Sequence, residues 1–384
     1  MLLMFFARLP MTAMGITLTL HVVSDLGRGY GAAGLIGTAT TLGSAIGAPA
    51  VGRLIDRYGL RPVIMVSGTS SAVYWISAPH LSYLALLMVT LPAGLLTVPA
   101  GSIARQVLAA LVPEAHRRAA YSLDTVAVEA SFMIGPSVGI LVLTQFSSTV
   151  ALAGIGVCFA LVATALYVKD PPVRNPGEAL HAAAARPPVR TWLRGRMLAT
   201  LLVAVGALFT LAGMDVATLA ALRATGDVSW TGLVIAVMCV ASLAGGIVHG
   251  AVARSLSQST LMVSLALLVI PVGLFDQPWW LLALALIPSN LACAPTLAAT
   301  TETVSRLAPA RVRGEAMGLQ DSATRLGLAA GGPAVGLAID HSSAAWGFAV
   351  AGLGGLAITG LGVVLHRRTG PPTVAAAATT SNVA

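Results

Sequence analysis

The sequence repeats its least ordinary residues at a fixed distance of 196 positions. Pro92, Pro99, Pro113, Arg117 and Leu123 recur as Pro288, Pro295, Pro309, Arg313 and Leu319. One inserted residue later, Gly135-Pro136-Ser137-Val138-Gly139 recurs as Gly332-Pro333-Ala334-Val335-Gly336. Proline inside a helix removes a backbone hydrogen bond, so matched prolines mark one architecture used twice. In an apolar chain, such a repeat predicts a duplicated membrane bundle with its binding site between the halves.

Composition supports the membrane reading. Hydrophobic residues make up 57% and charged residues 9% of 384, against about 25% charged in soluble domains. The apolar stretches lack the alternation of barrel strands over roughly 10 residues, which predicts an all-α integral membrane fold. Spans are expected near 2–23, 31–52, 62–79, 82–104, 120–146, 149–168, 197–222, 230–252, 260–275, 279–300, 316–340 and 344–365. These are twelve transmembrane helices in two pseudo-symmetric six-helix bundles, most near the ~20 residues that cross the hydrocarbon core.

Of the 22 basic residues, 18 fall in alternate loops or the C-terminal tail. That bias, and not nucleic-acid binding, accounts for the net charge of +8. It predicts cytoplasmic termini. Arg8 and Arg325 are the basic residues inside spans. Cys158, Cys239 and Cys293 have no ligand or redox spacing and read as small buried apolar residues. The first span has no basic leader and no cleavage site, so it reads as a helix and not a signal peptide; a natural start upstream of Met1 is an expectation. The domains expected are 1–168, a Pro- and Ala-rich cytoplasmic linker 169–196, 197–366, and a disordered tail 367–384. Gly43 and Gly47 have the small-xxx-small spacing of close helix contacts. They fit either general packing or a sliding contact between halves.

The second inner loop reads Gly52-Arg53-Leu54-Ile55-Asp56-Arg57-Tyr58-Gly59-Leu60-Arg61-Pro62. Glycines bracket a tight turn, and a carboxylate there can face the positive N-terminal end of a neighbouring helix. The loop resembles the G-x-L-x-D-R-x-G-R-R signature of the major facilitator superfamily, through Gly52, Leu54, Asp56, Arg57, Gly59 and Arg61. The resemblance extends over essentially the whole chain and is similar to efflux-type members of high-GC bacteria. It implies that this loop is a conformational latch between the halves. The second-half copy keeps only Gly250 and Arg254. The fifth span resembles the family's antiporter motif at Gly135, Pro136 and Gly139, with Ser131 and Ile140 departing from it. Together with Gly332, Pro333 and Gly336 these residues are expected to bend their helices. The arginine that many proton antiporters place mid-way along the fourth helix is replaced by Leu95, Leu96, Thr97 and Val98, with Arg105 at its inner end instead.

Ionisable groups inside spans are costly and face protein or a water-filled cavity. Glu129 and Arg325 occupy equivalent positions 196 apart, an acid in one half and a base in the other. Arg325 is either the i,i+4 partner of Asp321 or, with Glu129, faces the inter-half cavity. Glu129 there would bind a proton or a cationic substrate. Asp215 is a substrate or proton candidate on the seventh helix, or a packing acid bonded to Thr210 or Thr218. Asp124 reads as solvated, and His21 and His249 as satisfied interfacial histidines. Pro288 and Pro295 predict a discontinuous tenth helix, with Ser289, Asn290 and Thr296 beside the break and Asn290 the neutral substrate contact.

These readings predict a monomeric, multi-pass inner-membrane transporter that exports a small organic compound against proton entry. It would need no cofactor and no metal, with the proton gradient as its energy source. A sugar or metabolite permease, or a non-transporting sensor, are the alternatives. No metal cluster, nucleophile–base spacing or phosphate loop supports an enzyme.

Overall fold

The structure is a computed structural model, which describes residues 2–28, 30–173, 187–252 and 256–368. Its helices are α1 (Leu2–Ser24), α2 (Tyr30–Tyr58), α3 (Leu60–Ser77), α4 (Tyr83–Leu111, interrupted between Leu95 and Ala100), α5 (Arg117–Gln145) and α6 (Ser148–Lys169). The second half holds α7 (Arg196–Ala224), α8 (Thr231–Ala251), α9 (Gln258–Val269, with a 3-10 extension Ile270–Phe275), α10 (Trp279–Leu307), α11 (Arg313–Asp340) and α12 (Ala344–Arg368). Among the described residues, ten of these have the length and hydropathy to cross a bilayer. The 18-residue α3 and the charge-bearing α11 do not reach that hydropathy. The fold is all-helical, two six-helix bundles. Leu274 and Phe146 are 80% and 74% exposed, which suits a lipid-facing surface and not water.

The same pairings build both bundles: α1 with α5 and α7 with α11, α2 with α4 and α8 with α10, α3 with α6 and α9 with α12. Each bundle has its own core. Leu86, Ile103, Leu152 and Phe159 pack together in the first; Met214, Leu286, Val335 and Phe348 in the second. Gly43 and Gly47 lie against Leu91, Gly94 and Leu95 of α4. Their spacing therefore serves packing within one half, and no sliding contact between halves.

Proline frees the carbonyl four residues earlier. For Pro99 that is Leu95, and for Pro295 it is Leu291. In both halves a glycine of the neighbouring helix, Gly47 or Gly245, covers that oxygen so closely that a Cβ would overlap it. The contact is a weak Cα–H···O bond that partly satisfies the orphaned acceptor.

Beyond that shared device the halves diverge, and the expected break in α10 is corrected. The tenth helix runs unbroken for 29 residues through both prolines. It is α4 that breaks, ending at Leu95 and resuming at Ala100 after Pro99. In α10, Asn290 Nδ2 donates to Leu286 O at 2.9 Å and Thr296 Oγ1 to Ala292 O at 2.6 Å. At the matching places α4 has Gly94 and Ala100, which offer no such bonds.

The one-residue insertion is corrected too. Buried positions Ser131, Gly135 and Gly139 of α5 match buried Gly327, Gly331 and Val335 of α11, each 196 residues on. Gly135 and Gly139 approach Thr12, Ala13 and Thr17 of α1, whereas Gly327 and Gly331 approach Val205 and Phe209 of α7. The second Gly-Pro string is thus turned about 100° off the contact face. A Cβ on Gly332 would meet nothing on another helix closer than 3.8 Å, and one on Gly336 nothing within 4 Å.

Three smaller expectations change. Cys158 is exposed and Cys239 half-buried, so only Cys293 is a buried thiol. The linker's end is anchored: Val189–Trp192 forms one helical turn, and Trp192 packs with Met197, Val304 and Val312. The rest of the linker, 174–186, the tail 369–384, Met1 and Arg254 lie outside the described residues.

Candidate functional site

The halves meet on the face that carries the chain's two helical ends and most of its arginines, the arginine-rich face. There α2 continues through the signature loop to Tyr58, so Gly52 is helical, and Gly59 alone makes the turn with φ 84°. Positive φ strains any residue with a Cβ, which explains glycine at that position. The helical extension brings Asp56 to the start of α11. Its Oδ1 accepts from Gly314 N at 3.1 Å and its Oδ2 from Glu315 N at 2.9 Å. Those first-turn N–H groups have no partner inside their own helix, and the helix dipole favours an anion beside them. Closeness depends on glycine. A Cβ on Gly52 would overlap Gly314 O, one on Gly318 would overlap Ala48 O, and one on Gly314 would stand 2.7 Å from Asp56 Oδ1.

Of the other signature residues, Arg57 stacks over Tyr58 of its own helix at 5.1 Å. Arg61 stays in its own half, donating to Tyr167 O at 3.2 Å and pairing with Asp170 at 3.2 Å. Crossing falls instead to Arg53, whose Nη2 meets Glu315 Oε1 at 2.6 Å. On the symmetric seam between α5 and α8, Gly250 packs on Ser122 and Ala119, and Arg118 Nη1 donates to Val252 O at 2.7 Å.

One layer deeper lies a group of charges. Arg8 of α1 grips Asp124 of α5 bidentately at 2.7 and 2.9 Å, both residues 5% exposed. Asp124 is therefore buried and paired, which corrects the expectation that it is solvated. Across the seam, Arg105 of α4 reaches Asp321 of α11 at 3.7 Å, and Arg325 Nε donates to Asp321 Oδ2 at 2.9 Å. Arg325 thus has its i,i+4 partner and does not face Glu129.

Glu129 sits at the next level. Ser242 of α8 donates to its Oε1 at 3.3 Å, and Cys293 Sγ of α10 lies 3.8 Å away, so both neighbours belong to the other half. Asp215 stands on α7 of the second half. Its side chain is exposed, and neither expected threonine bonds it: Thr210 donates to Ala351 O and Thr218 to Met214 O. Asn290 is not a cavity contact. It is buried at 4% exposure, with its amide spent on Leu286 and beside Met214 Sδ.

All these inter-half contacts lie between the arginine-rich face and the level of Glu129. Asp215 is 19 residues along α7 and Glu129 12 along α5. At 1.5 Å per residue Asp215 is roughly 10 Å nearer the opposite face. The site is a cleft with an exposed acid on its wall, a second acid at its floor and a charge-paired, glycine-packed closure beneath.

Sequence reasoning singled out Glu129, Asp215 and Asp56 but missed Glu315, Ser242, the Arg8–Asp124 pair and the crossing contacts of Arg53 and Arg105. Arg8 inside a span was the available signal, since a buried guanidinium demands a carboxylate.

Residues 1–275 match the sequence model of the family described as the Major Facilitator Superfamily. None of the curated protein sequences matches the chain significantly. Among solved structures, the chain is similar to a bacterial homologue of the iron transporter ferroportin in an outward-facing state, with TM-score 0.74 and 14% identity over 96% of this chain and 97% of that one. It is similar to the proton:xylose symporter XylE, with TM-score 0.72 and 13% identity over 95% and 93%. The human organic anion transporter MFSD10 (TETRAN) gives TM-score 0.71 and 17% identity over 94% and 97%.

Proposed function

We propose that this chain, which belongs to the major facilitator superfamily and is a multi-pass membrane transporter, exports a small organic compound in exchange for protons. The observation that carries the reading is Glu129, a carboxylate of the first half held by Ser242 and Cys293 of the second, with Asp215 of α7 exposed nearer the opposite face. The basic loops support an inner-membrane orientation with the arginine-rich face and both termini in the cytoplasm. In that orientation the conformation is outward-open and closed below Glu129.

Protons entering from outside meet Asp215 first and then Glu129. A neutral Glu129 removes a charge from the contact between the halves, which favours their rearrangement. Inward opening then requires separation of Glu129 from Ser242 and Cys293, release of Asp56 from the α11 N-terminus, and rupture of Arg53–Glu315 and Arg105–Asp321. Proton release to the cytoplasm restores the charge on Glu129, which attracts a cationic or polar substrate. The moving bodies are the bundles 1–168 and 197–366 of one monomer, with no resident cofactor.

Flux in proteoliposomes tests this. A substrate panel with and without a pH gradient should show gradient-driven export in the native chain. Glu129→Gln should lose the gradient-driven component while retaining substrate exchange. Undiminished proton-driven export by Glu129→Gln would remove the coupling role. Absence of flux for every substrate would favour a sensor.

A further inference from the structure

A second, polar cavity of about 350 Å³ lies away from the cleft, inside the second bundle where α7, α9, α10 and α12 approach the arginine-rich face. Its size falls in the range of small-ligand sites, about 300–1,000 Å³. Three arginines line it, Arg118, Arg196 and Arg306, against one glutamate, Glu302. Arg118 approaches Glu302 at 3.9 Å. Arg196 and Arg306 have no carboxylate partner among the described residues. The N-termini of two long helices converge on the same space: Arg196 and Ala199 of α7, and Gln258 and Ser259 of α9. Gly195 gives α7 no side-chain cap. Helix N-termini and unpaired guanidiniums both favour an anion.

We propose that this cavity binds a phosphate-type oxyanion, as free phosphate or as the headgroup of an anionic lipid. Arg196 and Arg306 provide its charge-assisted contacts. Because Arg118 comes from α5 of the first bundle, the site is complete only while the arginine-rich face is closed. Occupancy therefore stabilises that state. The proposal stands apart from the transport reading, since no residue of the cleft takes part.

The test uses the full chain purified in detergent and titrated with inorganic phosphate at constant ionic strength, with thermal stability as the readout. A saturable rise in Tm is expected, absent with chloride. Arg196→Ala/Arg306→Ala should weaken apparent affinity about tenfold or more, whereas Arg196→Lys/Arg306→Lys keeps the charges and part of the binding. A parallel arm reconstitutes the native and doubly substituted chains in phosphatidylcholine, with or without phosphatidylglycerol, and counts retained lipids by native mass spectrometry. Substitution-sensitive phosphate binding assigns a soluble anion; substitution-sensitive retention of phosphatidylglycerol alone assigns a headgroup. Equal binding in native and doubly alanine-substituted chains, or none in either arm, overturns the proposal. Transport activity in both variants separates this result from the fate of the export reading.

Discussion

The two seams that close the arginine-rich face are built by the same repeat and held in different ways. Between α2 and α11, a carboxylate caps a helix, an ion pair crosses at 2.6 Å, and glycines bring two backbones into contact. Between α5 and α8, Gly250 meets the Ser122 side chain and Arg118 donates to one carbonyl. The position of Gly314 is taken by Arg118, 196 residues earlier, which donates to Val252 O. The difference teaches that duplication supplied close packing twice, while the carboxylate cap on a helix start belongs to the first seam.

The largest effect should come from bulk at the first seam. Gly318→Val would drive a side chain into the α2 backbone at Ala48, so closure fails and transport is nearly lost. Labelling of a cysteine introduced at Ser122 would report the opened face; a protected cysteine in an inactive Gly318→Val protein would contradict that account.

Next in size is Asp56→Asn. It removes the charge-assisted cap on α11, worth about 1–2 kcal/mol, and should shift the closed-to-open equilibrium about 5–30-fold. Inter-half distances from paired spin labels would register that shift. An unchanged distribution would mean that the catch is spread over Arg53–Glu315 and the glycine contacts.

At the second seam the change should be modest. A Cβ on Gly250 would stand 3.0 Å from that of Ser122, a side-chain contact that can yield. Gly250→Ala should cost under about 1 kcal/mol, with Ser122→Gly restoring it. A Gly250→Ala defect as large as that of Gly318→Val would equalise the seams and remove the comparison.

Smallest is an effect at the opposite face, where Asp25 serves one half only. It bonds His21 Nδ1 at 2.7 Å and Ser148, tying the end of α1 to the start of α6. Burial raises the Asp25 carboxyl, but the bonds from Ser148 and His21 outweigh it and hold the group below its ordinary value. A depressed carboxylate stabilises the fold above its unfolded value, near about 4, and that contribution fades as pH falls further. The acid-side loss of Tm should therefore be smaller in Asp25→Asn, with the spin-label distances unaltered. A changed inter-half distance in that variant would show that the opposite face also takes part in closure.

Much of this architecture was legible in the sequence because it rests on local rules. Twelve apolar stretches, the arginine bias and the Gly-x-x-x-Asp-Arg spacing each follow from what a bilayer or a helix end requires. Asp56 was expected to face a helix N-terminus, and it does. What was not legible depends on contacts far apart in the chain. Arg8 and Asp124 are separated by 116 positions, and nothing local says that they meet. The prolines of α10 looked like a break because Asn290 and Thr296 beside them read as substrate-facing groups until their acceptors on the same helix, Leu286 O and Ala292 O, are seen. The Gly-Pro string of α11 misled for a related reason: identity of letters was mistaken for identity of face.

The central claim is that Glu129 exchanges a proton for substrate at the floor of the cleft. Proton release from the detergent-purified chain on addition of an exported substrate, followed with a pH-sensitive dye in weak buffer, tests it most directly. The native chain should release protons as substrate saturates it, and Glu129→Gln should bind substrate with that release lost or reduced to the share of Asp215. Full release from Glu129→Gln would contradict the claim.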